Sequence, residues 1–328
     1  MPRAPRIPDH LRHRPFTRSE ALEAGMTSRQ LQGRELRRLH PGVWVWTRHE
    51  LTHGDEIAAA RLAVPNRSRV SHLTRIHQLG LDHGPPRPIH LSIVGDHHLD
   101  LQGVFLHRTE VMPPCDEVGV IGSAAFLGYA ASARVIDLIV AGDWLLHHGH
   151  MTLAGLRELA WRDRWRPGAR EALWVAPYLD GGARSPGESE TRVFLQFAGL
   201  PRPHVNVRLA DEPHAPTSDL WLPEWRTAVE YEGSQHFLDP DQIRRDIGRY
   251  AWMRSRDIAY LQVTGAMRAQ PRAMVVSAHA LLVERGYRGN PPGFGPMWRL
   301  LFGRCPRKAV SWQPHPDLER LPAHRPSA

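Results

Sequence analysis

The 328-residue sequence has little cysteine and no long uncharged apolar run. Its two cysteines, Cys115 and Cys305, lie far apart, so they offer neither a disulfide framework nor a zinc box. A transmembrane helix needs about 18 or more consecutive apolar residues, and the sequence has no such segment. The first residues also lack the apolar core of a secretory signal. These absences predict a cytoplasmic protein without a membrane partner.

Lysine is almost absent, because Lys308 is the only one among 42 basic residues. Arginine therefore carries nearly all of the formal net charge of +8. A positive surplus favours a polyanionic partner, since phosphate contacts dominate nucleic-acid affinity, and we expect double-stranded DNA. The alternative is that the arginine content reflects only a GC-biased genome. The 21 histidines show no metal-ligand spacing, and solvated surface positions account for them.

Residues 1–50 have the pattern of a winged helix-turn-helix domain. Thr17 caps a helix that stops at Gly25, and Thr27 or Ser28 caps a second helix. We expect the second helix to carry an apolar stripe beside DNA-binding arginines. The stripe is Leu31, Leu36 and Leu39, and the arginines are Arg29, Arg34, Arg37 and Arg38. Pro41-Gly42 would end this helix before a short strand, Val43–Trp46, which forms the wing. The alternative is a helical hairpin with solvated arginines.

Residues 51–180 are predicted to form a mixed α+β middle region without a catalytic constellation. Two strands across a turn are expected at Ile89–Val94 and Val104–His107. An amphipathic helix is expected from Ser132 to His147, and another after Thr152. This region would pack and connect the two ends of the chain.

Residues 185–288 alternate between helix and strand patterns, which predicts one α/β domain. Its expected order is α-β-β-β-α-β with a closing helix, after a linker-like stretch at residues 180–187. The helices are expected at Pro186–Phe197, Pro240–Arg256 and Pro271–Arg285, and the strands at His204–Leu209, Ser218–Leu222, Thr227–Glu232 and Ile258–Val263. Residues 289–328 are rich in proline, glycine and arginine, and we expect a disordered or loosely docked tail. The predicted fold class is therefore multidomain α+β.

The hairpin from Ser218 to Glu232 carries the clearest chemical pattern. Period-2 geometry places Glu230 and Glu232 on one face of a strand and Tyr231 on the other. If Leu222 pairs with Thr227, an antiparallel register sets Asp219 opposite Glu230. Such a pair has Cβ atoms roughly 4.5–5.5 Å apart, and like charges there are destabilising.

Three carboxylates on a partly buried sheet need a counter-charge. Mg²⁺, or Mn²⁺ in its place, prefers oxygen ligands, can lower the pKa of a bound water and can neutralise charge on a phosphodiester. Asp219, Glu230 and Glu232 are therefore the predicted metal ligands. The alternative is that Asp219 lies in solvent and Glu230 pairs with an arginine such as Arg226. A register slip of one residue would also separate the acids.

Further groups follow the hairpin or precede it in sequence. Glu188 lies in a capping box with Pro186 at the first helical position, and it could either only cap the helix or join the catalytic site. His236 follows the strand and would act as a general acid/base or a phosphate ligand. Arg245 and Arg249, on the next helix, would clamp DNA phosphate or form a solvated charged face.

Several ordered motifs resemble a known family. They are Ser185-Pro-x-Glu-Ser-x-x-Arg192, Ala198-Gly-Leu-Pro201, Asp219, Glu230-Tyr-Glu-Gly233 with His236, and Asp246-x-x-Arg249. Together they resemble actinobacterial proteins with a C-terminal domain of unknown function that is related to the very-short-patch-repair (Vsr) endonucleases. The resemblance covers Ser185 to about Arg288. It implies a PD-(D/E)XK restriction-endonuclease-like fold, a Mg²⁺-type metal, and Asp219 and Glu230 as metal ligands.

The N-terminal part shows a shorter resemblance. Phe16-Thr17, Ala24-Gly-Met-Thr27 and Leu39-His-Pro-Gly-Val-Trp44 resemble the winged-helix domain of AbiEi-type antitoxins. The two resemblances together imply DNA cleavage or DNA binding in mobile-element, repair or defence biology, with a toxin or repair partner left unidentified. The chain departs from the family signature at Glu232, which stands where that signature has a lysine, and at Gln262, where relatives often have arginine.

Two functions therefore remain open. In the first, the winged helix binds duplex DNA and the C-terminal domain is a metal-dependent endonuclease. In the second, the protein is a non-enzymatic DNA-binding regulator or antitoxin, and the nuclease fold is only a scaffold.

Overall fold

The computed structural model describes residues 7–212, 214–232 and 240–306, without the side chains of residues 240–245. Its contacts divide the described chain into two compact units, residues 7–128 and residues 129–306. Both units mix helices and sheets, so the protein has the expected α+β class. Within the described residues, no helix is both long enough and apolar enough to cross a membrane.

The first unit begins with a three-stranded antiparallel sheet and two short helices. The strands are β1 (Phe16–Thr17), β2 (Leu36–His40) and β3 (Val43–Trp46), and the helices are α1 (Arg18–Glu23) and α2 (Ser28–Leu31). The sheet has the order β1-β3-β2. Thr17 and Thr27 each form a capping box, and Gly25 adopts a left-handed conformation with φ of 82° after α1. The predicted start of both helices is confirmed.

The predicted extension of the second helix to Leu39 is wrong. Helix α2 ends at Leu31, where the amide of Gly33 bonds to the carbonyl oxygen of Gln30 in a tight turn. Leu36 belongs instead to β2 and pairs with Trp46 across the turn that contains Gly42. Cross-strand pairing and burial of Leu36 outweigh the helical spacing of the leucines. Consequently, Arg37 and Arg38 lie on a strand and not on the face of a helix.

A second sheet completes the first unit. It contains β4 (Arg69–Val70), β5 (Ile89–Val94) and β6 (Val104–Thr109), in the order β4-β5-β6, with α3 (His53–Ala63), α4 (His72–Gln78) and the start of α5 (Gly122–Ala130). Strands β5 and β6 were expected to meet across a turn, and that expectation is wrong. They are parallel, with Ile89 opposite Val104, because residues 95–103 carry the chain back along the sheet.

The second unit contains eight helices and four strands among its described residues. They are α6 (Val135–His147), α7 (Leu153–Arg162), α8 (Ala169–Val175), α9 (Pro186–Phe197), β7 (His204–Arg208), β8 (Thr217–Leu222), β9 (Thr227–Glu232), α10 (Pro240–Ser255), β10 (Ala259–Thr264), α11 (Gly265–Arg268), α12 (Pro271–Glu284) and α13 (Pro296–Leu300). The predicted order from α9 to β10, followed by a helix, is confirmed with end points within a few residues.

The four strands of this unit form one mixed sheet with the order β10-β9-β8-β7. The pairs β7–β8 and β8–β9 are antiparallel, whereas β9 and β10 are parallel because α10 connects them. Ala228 of β9 packs with Tyr250 and Met253 of α10. Tyr231 lies on the opposite face, against Gly187 at the start of α9. The sheet therefore lies between α10 and α9.

Residues 289–306 are not the loosely docked segment that the composition suggested. Trp298 is 2% exposed and Leu301 is fully buried. The carbonyl oxygens of Leu301 and Gly303 accept the amide protons of Ile136 and Val135, at the start of α6. Residues 307–328, including Lys308, lie outside the described part of the chain. In residues 289–306, burial of apolar side chains therefore outweighs the proline and glycine content.

Candidate active site

The β8–β9 hairpin has the register that places the predicted acids together. Leu222 pairs with Thr227, Trp221 with Ala228 and Leu220 with Val229. At the end of this ladder, the Oδ2 atom of Asp219 accepts the backbone amide of Tyr231 at 2.9 Å. Asp219 is therefore held beside the neighbouring strand, at the position of Glu230 and Tyr231.

Glu230 is almost completely buried, at 1% exposure, with a hydrogen bond at one carboxylate oxygen and an ion pair at the other. The hydroxyl of Ser218 donates to Oε1 at 2.6 Å. The guanidinium of Arg249, on α10, forms an ion pair with Oε2. A carboxylate of this kind cannot stay ionised in the interior without such compensation.

Arg249 also connects Glu230 to Asp219. Its Nη2 atom lies 3.9 Å from Oδ1 of Asp219 and donates to the carbonyl oxygen of Thr217 at 3.0 Å. Its Nε atom is buried without a hydrogen-bond partner in the described residues. The two acids from neighbouring strands thus face one cationic group. The alternative that Glu230 pairs with an arginine is confirmed. That arginine is Arg249 and not Arg226, which bonds to the carbonyl oxygens of Arg256 and Asp257.

Asp219 has an unusual protonation equilibrium. Burial and the nearby carboxylate of Glu188 raise the pKa of Asp219 to about 6, although the amide of Tyr231 and the charge of Arg249 act in the opposite direction. Its side chain keeps 21% exposure. Near pH 6 the side chain of Asp219 therefore changes between the anionic carboxylate and the neutral acid.

Glu188 performs the capping role that its sequence position predicts. Its carboxylate accepts the amide of Arg184 at 2.9 Å and the hydroxyl of Ser185 at 3.0 Å, and Asn206 donates to it at 2.6 Å. The same carboxylate contributes to the raised pKa of Asp219. The cap and the acidic site therefore share this residue.

Glu232 lies on the same sheet face as Glu230 but bonds to different partners. The hydroxyl of Tyr250 donates to it at 2.6 Å, and the amide of Gln262 donates at 3.2 Å. Tyr250 also stacks on Tyr260, with ring centroids 4.5 Å apart. The structure therefore brings Glu230 and Glu232 to one face without placing them at the same cation.

The remaining predicted site residues are His236, Arg245 and the four arginines of residues 29–38. His236 and the side chain of Arg245 lie outside the described part of the chain. Arg29, Arg34, Arg37 and Arg38 are all exposed, and none of them pairs with a described carboxylate. Arg38 donates from Nε to the carbonyl oxygen of His40 at 3.3 Å. The positive charges of these four arginines are therefore not neutralised by any described carboxylate.

The chemistry and the placement of the acids decide whether they could hold a divalent cation. In the described residues, no three His, Cys, Asp or Glu side chains are arranged to hold a metal ion. Asp219 and Glu230 nevertheless supply the carboxylate oxygens that hard cations prefer, and both approach the same Nη2 atom. In this structure the guanidinium of Arg249 takes the position between these two acids.

Two partners of the acids were missed from sequence. Ser218 and Tyr250 have no distinctive motif of their own, yet Tyr250 follows Arg249 directly on α10. A helix presents positions i, i+3 and i+4 on one side, so Asp246, Arg249 and Tyr250 form one predictable face. The missing information was that this face packs against Glu230 and Glu232.

Comparisons with known proteins give little further guidance. No known protein family and no solved structure matches the chain. Two curated proteins, from two strains of Mycobacterium tuberculosis, are each 32% identical to it over 93 residues. Both are described only as uncharacterized proteins, and the match covers 27% of this chain. The matched stretch spans 33% of the length of each relative, so the chain is similar to part of these mycobacterial proteins.

Proposed function

We propose that the protein is a DNA-directed, metal-dependent phosphodiesterase of the Vsr-like endonuclease type. One observation carries this proposal: Asp219 and Glu230, on adjacent strands, both face a single cationic nitrogen. Two carboxylates held in this way are arranged to share one cation. Glu188 is the third carboxylate of the proposed site, because its charge already reaches Asp219.

Asp219 and Glu230 would hold the divalent ion in this proposal. When bound, such an ion supplies charge neutralisation at a phosphodiester oxygen and lowers the pKa of a water ligand. Ser218 fixes the orientation of Glu230 through its 2.6 Å hydrogen bond. The amide of Tyr231 orients Asp219 in the same manner. One oxygen of each carboxylate is therefore held in position by a strand residue before any ion binds.

Arg249 has two roles in the proposal. Without a divalent ion, its guanidinium neutralises the buried carboxylates. After displacement, the same group is available to a phosphate oxygen, which arginine binds with planar, two-pronged geometry. Among the described residues, Nε of Arg249 has no hydrogen-bond partner, so one of its donors is left for such a contact. His236 stays a predicted proton-transfer or phosphate-binding residue, and Glu232 stays a predicted further ligand.

The proposed DNA contacts at the other end of the chain come from the exposed arginines of residues 29–38. Arg37 and Arg38 lie on β2, next to the turn at Gly42. A strand pair of this kind can act as a wing that contacts the duplex backbone. Phosphate contacts of this type supply affinity without reading sequence.

The test of the catalytic proposal is nicking of supercoiled plasmid with Mg²⁺ or Mn²⁺. Asp219→Asn and Glu230→Gln keep side-chain shape and remove the charge, and we expect each to reduce the nicking rate at least 100-fold. Glu224→Gln is the matched control, because Glu224 is exposed in the turn before Arg226. Equal nicking by the wild-type protein and both acid variants would contradict the proposal.

A second candidate function is supported by the ion pair itself. Arg249 already neutralises Glu230, and the family lysine is absent, so the fold could serve a non-enzymatic DNA-binding regulator or antitoxin. This candidate predicts that calorimetry detects no metal binding. It also predicts that the affinity for duplex DNA is retained in Asp219→Asn. For either function, Arg37→Gln/Arg38→Gln should reduce the salt dependence of duplex binding by up to about two released counterions.

A further inference from the structure

A surface cavity of about 490 Å³ lies in the second unit, and none of the acids of the proposed site lines it. It is lined by residues around the start of α12 and by residues of α13 and the turn that follows. Its principal lining side chains are Gln270, Arg272, Trp298, Arg299 and Phe302. The volume falls in the range of roughly 300–1,000 Å³ that is usual for small-molecule sites.

The lining is basic and aromatic. It has two guanidinium groups, those of Arg272 and Arg299, and no acidic side chain. Both arginines are exposed, and neither forms an ion pair with a carboxylate in the described residues. The guanidinium of Arg272 lies 5.6 Å from the ring centroid of Phe294. Two uncompensated cations beside one cavity favour an anionic ligand.

Phe302 provides a rigid aromatic surface at this cavity. It keeps 41% exposure, although its ring lies 5.6 Å from Trp298 and 6.2 Å from Phe194 between centroids. Trp298 and Phe194 are themselves buried. The ring is therefore held by packing on one side and left open to a ligand on the other. An exposed aromatic that is positioned in this way is suited to stacking.

We propose that this cavity binds one nucleotide unit, with its base against Phe302 and its phosphate at Arg272 and Arg299. Arginine suits a phosphate because its donors match the oxygen spacing, and every base offers a flat face for stacking. The nucleotide comes either from a free mononucleotide or from an unpaired nucleotide of a DNA strand. This site does not use Asp219 or Glu230, so it goes beyond the proposed hydrolysis.

The test measures binding to the full chain by calorimetry in EDTA, which keeps the result independent of metal-dependent cleavage. The probes are deoxyadenosine monophosphate, a short single-stranded oligonucleotide, a blunt duplex and inorganic phosphate. We expect Phe302→Leu and Arg299→Gln each to weaken binding of the nucleotide-containing probe about 10-fold. Met297→Leu and Arg170→Gln are matched controls, because both residues are exposed and lie outside the cavity.

Each outcome has a defined meaning. Mononucleotide binding that the two variants weaken supports a free-nucleotide site. Oligonucleotide binding that the same variants weaken, without mononucleotide binding, supports capture of an unpaired nucleotide. Phosphate that competes as well as the nucleotide would overturn the role of Phe302. If none of the probes binds, or if the control variants lose as much affinity as the cavity variants, the whole proposal is overturned. Circular dichroism of each variant checks that the fold is retained.

Discussion

The carboxylate of Asp143 and the guanidinium of Arg192 form an ion pair at 2.7 Å, and neither side chain has any solvent exposure. This pair connects α6 to α9, whose first residues form the cap at Glu188. Asp143 also accepts the backbone amide of Asp180 at 2.7 Å. Burial raises the pKa of Asp143, and the charge of Arg192 counteracts that rise. Each charge of the pair therefore compensates the other, because neither could be buried alone without a large cost in free energy.

Replacement of Arg192 by Met should destabilise the second unit by about 3–5 kcal/mol, because it leaves the Asp143 carboxylate buried without its cation. Urea unfolding at neutral pH measures the loss. Arg134→Met is the control, since Arg134 pairs with Asp137 on the same helix but is 57% exposed. That change should cost at most about 1 kcal/mol. Similar losses in the two variants would contradict a special role for the buried pair.

The raised pKa of Asp219 predicts a pH dependence of stability. The folded protein holds a proton on Asp219 up to about pH 6, whereas an unfolded aspartate releases it near 3.8. Because the folded state binds more protons in this window, the free energy of unfolding should fall as pH rises from about 4 to 7. The contribution is up to about 3 kcal/mol.

Asp219→Asn should remove this contribution and make the protein more stable at pH 7. Urea unfolding from pH 4 to 7 tests the prediction, with Glu224→Gln as the control for loss of one carboxylate. An unchanged pH profile in the Asp219 variant would place its pKa near the ordinary value. If Asp219 also holds a metal, metal affinity should increase with pH through about 6, since only the anion is a ligand.

Three stacked histidines in the first unit predict the opposite pH dependence. The rings of His72 and His107 lie 3.5 Å apart, and Nδ1 of His90 lies 2.9 Å from Nε2 of His107. Burial, together with the charge of a neighbouring histidine, lowers the pKa of His90 to about 4 and of His107 to about 3. The unfolded chain therefore binds more protons below its ordinary pKa of 6.5.

The first unit should consequently lose stability as pH falls from 7 to 5. His107→Gln should reduce this loss by about 2 kcal/mol, because it removes one imidazole that must stay neutral in the fold. Urea unfolding at pH 7 and pH 5 provides the comparison. His10→Gln is the control, since His10 is exposed. The same pH dependence in both variants would exclude His107 as its source.

Docking of residues 296–306 should contribute strongly to the stability of the second unit. Trp298→Ala removes a ring that is 2% exposed and packs on Phe194, so we expect a loss of about 3–5 kcal/mol. Thermal or urea unfolding measures it. Met297→Ala is the control, because Met297 is 40% exposed on the same helix and should change stability by about 0.5 kcal/mol or less. A loss below about 1 kcal/mol in the tryptophan variant would indicate loose docking.

Local sequence signals were sufficient for most of the four-stranded sheet of the second unit and the helices beside it. Pro186 and Pro271 stand at the first turns of α9 and α12, and Gly199 adopts the left-handed conformation that follows a helix end. The turn before Arg226 set the hairpin register, because a short turn allows few strand alignments. These features act over a few residues, so they can be predicted without the rest of the chain.

Helical spacing was misleading where tertiary pairing had a stronger effect. Leu36 and Leu39 fit the period of a helix, yet both belong to β2, where Leu36 pairs with Trp46 of β3 and Leu39 lies at a register shift. The parallel pairing of β5 and β6 depends on the path of residues 95–103, which local turn signals do not determine. A short apolar segment is compatible with either state, and its neighbours in space decide which one has the lower free energy.

The sequence by itself determined the α+β class, the arginine surplus and the presence of Asp219 and Glu230 at opposed positions of one hairpin. Only the tertiary structure decided that Arg249 would lie between them, that Tyr250 would hold Glu232, and that Trp298 would be buried. The physical reason is that strand alternation acts over neighbouring residues. The partner of a buried charge or ring comes instead from a distant segment, whose position depends on packing of the whole unit.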